Sequence, residues 1–419
     1  MLSLDLIVNE TEKVKAALAR RGGEYPVDEA LGLDGRRREL IRETDSLRAR
    51  RNEVSKKIGA EKRKPTPAET EEMRAAGDRI KSSEQELDLV KGQLDALLLT
   101  VPNLPLPDVP DGPGASGNVV VKTVGEPKNI AHAKPHWDIG AQLGIIDMEA
   151  GARISGARFY VLRGKGATLQ RALANWFLDV HTREQGYIEI EPPYLVRRDT
   201  MTGSGNLPKF ADNLFHDDES DYWLLPTAEV ALNGLHQGTI IEPGVLPLKY
   251  VARTPCFRKE KTAAGRDVRG IKRVHQFEKV EMFRYTEPEK SEAALQEMVA
   301  EATVLCDRLG LTWRLVQLCA GDIGFQSAKT YDIEVWAPGC QEWLEVSSLS
   351  TCTDFQARRN NTRYRAGRGG ATRYPHTLNG SGLALPRVII AVLENYCQPN
   401  GSVIIPEVLR HYTGFDRIP

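Results

Sequence analysis

The sequence predicts an α+β protein in two parts, an antiparallel helical hairpin followed by an antiparallel β-sheet with flanking helices. Three observations carry this. Between residues 28 and 99, apolar residues recur every seven positions in two runs separated by a proline-containing break. A proline- and glycine-dense linker, 102–118, then sets off the N-terminal part, 1–101, from the remainder, 119–419. Beyond it, short strand-like runs follow one another across turns, without the strict alternation of strand and helix that builds a parallel sheet.

In the first run Leu33, Leu40, Leu47 and Val54 share a heptad position. In the second Met73, Ile80, Leu87 and Leu94 do, with Ala76, Ser83, Val90 and Leu97 at the companion position. Between them lies Lys62-Arg-Lys-Pro65-Thr-Pro67, where proline cannot continue a helix. Each arm is then roughly 45 Å long at about 1.5 Å per residue. From Arg36 to Lys64 basic residues far outnumber acidic ones, while the returning helix is net acidic. Two readings stay open. One is a solvated coiled coil with cross-helix ion pairs. The other is a basic arm lying along a phosphate backbone, with Arg50, Arg51 and Lys57 as contacts.

After the linker, Ala167 to Gln185 reads as an amphipathic helix ended by Gly186. Strand-like runs follow near 188–196, 222–226, 249–258, 271–285, 313–319, 331–336 and 342–348. The last helix, Leu383 to Tyr396, is apolar on most faces and is expected to be buried. Neither an internal repeat nor a glycine-rich or Walker-type phosphate loop is present.

The chain of 419 residues can bury a large core, and its net charge of -1 says nothing by itself about nucleic acid. With no run of about 18 apolar residues, a membrane helix is not expected. The N-terminus lacks the basic-then-apolar layout of a signal peptide. Cysteines 256, 306, 319, 340, 352 and 397 never form a Cys-x-x-Cys pair, so neither zinc nor a disulfide framework is expected, and a reducing cytoplasm fits.

Thr254-Pro-Cys-Phe-Arg258-Lys-Glu260 and Gly265 to Glu281 read as two antiparallel strands joined by a long polar loop. Period-2 alternation puts Arg273, Phe277 and Glu281 on one face of the second strand, and Arg258 with Glu260 on the first. A face carrying two arginines, two carboxylates and an aromatic ring is not built only to pack a core. It suits a small, multiply charged ligand with a flat ring, for which ATP plus an amino acid is the natural candidate.

Gly186-Tyr187 leading to Glu191-Pro192-Pro193, the Phe257-Arg258-Lys259-Glu260 hairpin, and Gly380-Ser-Gly-Leu-Ala-Leu-Pro-Arg387 resemble, in order, the three motifs of class II aminoacyl-tRNA synthetases. Among them stand Pro226-Thr227-Ala228-Glu229, His275-Gln-Phe-Glu-Lys-Val-Glu281, Leu344-Glu345-Val-Ser-Ser348 and His376-Thr-Leu-Asn379-Gly-Ser381. The whole set resembles the bacterial-type seryl-tRNA synthetases over nearly the entire chain.

That resemblance implies a class II antiparallel catalytic sheet and a ligase that activates L-serine with ATP and charges tRNA(Ser), with tRNA(Sec) as an open further acceptor. It implies an ATP site of Arg258, Lys259, Glu260, Arg273, Val274, Phe277, Glu345, Val346, Ser347, Ser348 and Arg387. Serine is assigned to Thr227, Ala228, Glu229, Arg258, Glu281, Asn379 and Ser381, and Mg²⁺ to Glu345 and Ser348. Arg258, Glu281 and Arg387 are the implied catalytic residues. A guanidinium fork at Arg258 can hold a carboxylate and the α-phosphate together. Adenine lies between Phe277 and Arg387, and Arg273 meets the γ-phosphate. The arm grips the tRNA at its long variable arm and elbow, and the 167–185 helix with motif one implies a homodimer. Alanine is excluded through the missing hydroxyl, without a separate editing domain.

Two tensions remain. Strict alternation places Glu345 with Ser347 and points Ser348 the other way, so a bulge or strand end near Ser347-Ser348 is needed; otherwise Ser348 is structural. His275 alternates onto the ligand face, although a structural role is the commoner one. The chain also departs from the family pattern at Lys261-Thr262, Leu385-Pro386 and Leu349-Ser-Thr-Cys352. Inert variation is one reading. The sharper one is a secondary copy tolerant of a seryl-adenylate-mimicking antibiotic; a ligase loading serine on a non-tRNA acceptor stands apart as a competing function.

Overall fold

A computed structural model describes every residue except 262–268 and 368. The chain forms two compact units, one of Leu2–Ala19 and Gly23–Pro102, the other of Met1, Arg20–Gly22 and Asn103–Pro419.

In the first unit the long helices run Val27–Ala60 and Pro67–Leu98. The return helix starts where proline is best tolerated. Pro67 occupies its first turn, and Thr66 with Glu69 closes a reciprocal capping box. Thr66→Ala is expected to cost about 1 kcal/mol of arm stability, read as a lowered thermal or urea midpoint. Leu40, Val54, Ala76, Ile80, Val90 and Leu94 are buried along the seam, whereas Leu33, Leu47, Met73, Leu87 and Leu97 are only partly covered. Asp34 is buried instead, tolerated because Arg37 and Arg38 each pair with it at 2.6 Å. Ion pairs cross between the helices at Arg36–Glu86, Arg48–Glu84, Arg50–Glu72 and Glu43–Arg79.

The second unit is organised by an eight-stranded sheet: β1 (Val119–Val124), β2 (Ile188–Glu189), β3 (Leu248–Phe257), β4 (Gln276–Thr286), β5 (Trp313–Gln317), β6 (Lys329–Ala337), β7 (Glu342–Thr353) and β8 (His376–Ala384). Their spatial order is β1-β5-β6-β7-β8-β4-β3-β2. All pairings are antiparallel except the short β2–β3 contact, which makes the sheet mixed at that edge. β8 lies in the middle of the sheet, although Asn379, Gly380, Ser381 and Gly382 give it almost no strand propensity. Its glycines serve close packing: a Cβ on Gly382 would lie 2.2 Å from His181 Nε2, and one on Gly380 2.8 Å from a Leu349 methyl.

Against one face of the sheet pack the helices Lys165–Asp179, Ser291–Arg308 and Leu385–Tyr396, through Leu169, Phe177, Leu295, Met298, Val388 and Leu393. Burying each such side chain contributes roughly 1.5–3 kcal/mol. Buried Arg284 on β4 donates to Glu297 Oε2 and the Tyr187 hydroxyl, each at 2.8 Å, and pairs with Glu301. This ties β4 to the Ser291–Arg308 helix and leaves the opposite face of β4 free to carry chemistry.

Candidate active site

The strand alternation expected for the hairpin holds only in part. β3 ends at Phe257 and β4 begins at Gln276, so Arg258, Glu260 and Arg273 lie beyond the pleat. Glu260 instead has φ of +44°, and Arg273 reaches the site from a turn. The two ends are clamped across the hairpin: Arg258 N–H donates to His275 O at 2.9 Å, and His275 Nδ1 lies 3.0 Å from Arg258 O. His275 packs on Phe159 and does not border the cleft, so its role is structural.

Arg258, Arg273, Phe277, Glu281, Glu345 and Arg387 border one cleft of about 440 Å³. Arg258 Nε donates to Pro226 O at 3.1 Å, and its guanidinium lies 5.2 Å from the centre of the Phe277 ring. Glu260 pairs with Arg273 at 3.6 Å. Arg387, just inside the Leu385–Tyr396 helix, which a further short helix Glu407–Thr413 keeps from being the last, donates to Glu345 O at 2.7 Å and approaches its carboxylate at 3.3 Å. Pro386 occupies the first turn of that helix and itself borders the cleft, as proline can where no N–H is required.

The register between β6 and β7 resolves the position of Ser348. Ile333 faces Ser347 while Glu334 faces Glu345, so Val346 is an extra residue. This bulge resets the alternation, and both Glu345 and Ser348 border the cleft. Glu345 is 45 % exposed, yet crowded by protein. That crowding pushes its carboxyl up, but Arg387 first, then Arg258 and Arg273, outweigh it and hold it below the usual carboxylate range. Asp332, directly opposite Ser348, is held well above that range by burial first and Glu345 second. Its Oδ1 is buried with no hydrogen-bond partner among the described residues.

At the closed end of the cleft Glu281 and Glu229 are 2 % and 5 % exposed. Glu229 Oε1 accepts from Gln356 Nε2 at 2.7 Å and Asn379 Nδ2 at 3.2 Å. Burial, with the nearby Glu281 charge, pushes its carboxyl up to about 7 despite Gln356 and Lys279. Ser381 Oγ donates to Glu281 at 3.5 Å, and Lys279 pairs with Glu281.

Three residues assigned by resemblance do not border the cleft. Ala228 is fully buried, Ser347 Oγ donates to Ser381 O at 2.6 Å, and Lys259 lies 5.6 Å from the Phe215 ring. Lys261 N–H lies 3.3 Å from Asn213 Oδ1, while Thr262 falls outside the described residues. Cys352 is buried and accepts from Asn379 Nδ2 at 3.4 Å. Lys279, Gln326 and Asp332 border the cleft but were not singled out from the sequence. Lys279 was legible, since it shares strand parity with Phe277 and Glu281.

Residues 1–105 match the family model for the seryl-tRNA synthetase N-terminal domain, and 211–396 that for the tRNA synthetase class II core domain (G, H, P, S and T). A serine–tRNA ligase of Thermomicrobium roseum is 56% identical over 416 residues, 99% of this chain and 94% of that protein. One from Dehalococcoides mccartyi is 52% identical over the full length of both. Among solved structures, the seryl-tRNA synthetase of Pyrococcus horikoshii complexed with ATP superposes with TM-score 0.95 at 38% identity, covering 100% and 99% of the two chains. The cytoplasmic serine-tRNA ligase of Naegleria fowleri with AMP gives 0.89 at 30%, covering 100% and 98%. With full-length identity of this order, and residues of the second and third motifs bordering one cleft, the chain belongs to the seryl-tRNA synthetase family of class II aminoacyl-tRNA synthetases.

Proposed function

We propose that the protein activates L-serine with ATP and transfers the seryl group to the 3′ end of tRNA(Ser). The observation that carries this is a single cleft with a cationic, aromatic end and a buried carboxylate end, with Arg258 between them. A serine carboxylate oxygen attacks the α-phosphorus, the bond to the β-phosphate oxygen breaks, and pyrophosphate leaves. A ribose hydroxyl of the tRNA then attacks the seryl carbonyl, and AMP leaves with the bonding pair. Arg258 holds the attacking carboxylate and the α-phosphate oxygen in one fork. Phe277 and Arg387 take the adenine, Arg273 the γ-phosphate, and Glu229, Glu281 and Thr227 the serine ammonium and hydroxyl.

Glu345, Ser348 and the unpartnered Asp332 oxygen form a hard-oxygen set that fits Mg²⁺. Glu345 and Ser348 would hold the ion, which neutralises phosphate charge when it arrives with ATP.

On the arm, Arg51 and Lys57 are exposed and make no ion pair among the described residues, while Arg50 is already engaged by Glu72 at 2.9 Å. The arm is the tRNA-binding element in this reading, with Arg51 and Lys57 ahead of Arg50. A homodimer through motif one is part of it too, supported by exposed Ile188, Tyr194 and Leu195 on and beside that motif. No helix among the described residues is long and apolar enough to cross a membrane, and the cysteines are free thiols, which supports work in the cytoplasm. Neither a non-tRNA acceptor nor a resistance copy is favoured, because the N-terminal domain matches that of seryl-tRNA synthetases and the full-length relatives are serine–tRNA ligases.

Serine-dependent ATP–pyrophosphate exchange tests the reading, and its absence from folded protein would reject it. The exchange also has an expected pH dependence. Below about pH 7 Glu229 takes up a proton and loses its attraction for an ammonium group. kcat/KM for serine should therefore fall about tenfold between pH 8 and pH 6, following the ionised fraction of the free enzyme. Glu229→Gln should flatten that limb.

A further inference from the structure

The closed end of the cleft holds two buried carboxylates, Glu229 and Glu281, and a buried cation, Lys279, which is 7 % exposed. Lys279 stands two residues before Glu281 on β4, on the same pleat face. Its ammonium pairs with Glu281 and donates to Thr227 Oγ1 at 2.8 Å. Thr227 Oγ1 also lies 3.3 Å from the Glu229 N–H, which donates to it. With both acceptor positions of that oxygen taken, its own hydrogen is left to donate elsewhere.

We propose that Lys279 is a positioning residue that sets the substrate selectivity of the amino-acid end, by fixing Glu281 as an acceptor and Thr227 as a donor. The inference rests on the reading of this end as the serine site. Two carboxylates this close and this buried do not both stay charged unaided. Counted by formal charge, Lys279 offsets one of the two carboxylates and leaves one to be matched by a substrate ammonium. The fixed acceptor and donor are then the pair that a substrate hydroxyl satisfies and a methyl group leaves unpaired, the arrangement that rejects the analogue lacking the hydroxyl. The groups facing Glu229 are Glu281 and Lys279 from β4, the Cys352 thiol from β7, and the amides of Gln326, Gln356 and Asn379.

A neighbouring cluster carries no such inference. His136 Nδ1 pairs with Glu394 at 3.2 Å, Cys340 Sγ lies 3.0 Å from the same carboxylate, and His136 Nε2 accepts the Ile271 N–H at 3.1 Å. A metal on Nδ1 would turn Nε2 into a donor facing another donor. The cluster is a packing knot beneath the Ile271–Val274 turn.

The test measures pyrophosphate exchange with serine and with alanine for the full-length protein and its Lys279→Met and Lys279→Arg variants. For Lys279→Met, the serine-to-alanine ratio of kcat/KM should fall at least about 10²-fold. KM for ATP should stay within about threefold, and the pH break near 7 should move upward. Lys279→Arg should restore part of the ratio. Should Lys279→Met fail to fold, as judged by its melting curve, Thr227→Val removes the oxygen Lys279 engages and should lower the same ratio. An unchanged ratio and pH break in whichever variant folds would overturn the proposal. A parent protein without serine-dependent exchange would instead overturn the reading of the site.

Discussion

Arg258→Lys should lower serine-dependent ATP–pyrophosphate exchange by about 10²–10³-fold, the usual cost of removing one preorganised donor from developing charge. Lysine keeps the charge but not the planar fork. The protein's own contacts aim the Arg258 side chain, through its bond to Pro226 O and its place over Phe277. Pro226 begins the segment that carries Thr227 and Glu229, so the same arginine registers the nucleotide end of the cleft against the amino-acid end. Being only partly buried, it should be replaceable without a large change in melting temperature. The loss belongs in kcat, because the carboxylate–phosphate bridge is strongest in the transition state. A variant within about tenfold of the parent would remove Arg258 from that role.

Replacing residues 27–98 by a short Gly/Ser linker should leave exchange within a few fold while abolishing tRNA charging. Among the described residues, all those bordering the cleft lie between Thr227 and Arg387, within the Asn103–Pro419 stretch of the second unit. The arm contributes nothing to them in sequence, so loss of charging without loss of activation is the signature of a pure acceptor-binding element. In the intact protein, Arg51→Ala and Lys57→Ala should each make the log K versus log salt slope for tRNA binding shallower by roughly 0.7–0.9. Arg50→Ala should do less, because its guanidinium is already held by Glu72. Charging that survives the excision would end the arm's role.

The sequence made some of this legible for physical reasons. The two helices and their break could be read from heptad spacing and from proline, which ended up in the first turn of the return helix. The seam was less exact. Leu40 and Val54 are buried, but Leu33 and Leu47 at the same heptad position are only partly covered, and Asp34 is buried beside them. β8 was not legible as a strand, because its glycines and polar residues are chosen for close approach and for the pocket rather than for strand propensity. The site divides in the same way. Phe277 and Glu281 follow from alternation along β4, but Arg273 arrives on a turn that alternation cannot describe. Ser348 was flagged by the conflict between motif and pleat, and the bulge at Val346 is its resolution. Asp332 could not be found locally, because its place opposite Ser348 depends on which strands become neighbours.

Aminoacylation of tRNA(Ser) with serine, measured beside alanine, threonine and cysteine, tests the central claim most directly. Serine alone should be charged at an appreciable rate. Alanine should be rejected by about 10⁴-fold or more for want of a hydroxyl, and threonine less strongly because only size excludes it. Equal charging with alanine, or serine activation with no transfer to tRNA, would contradict the account.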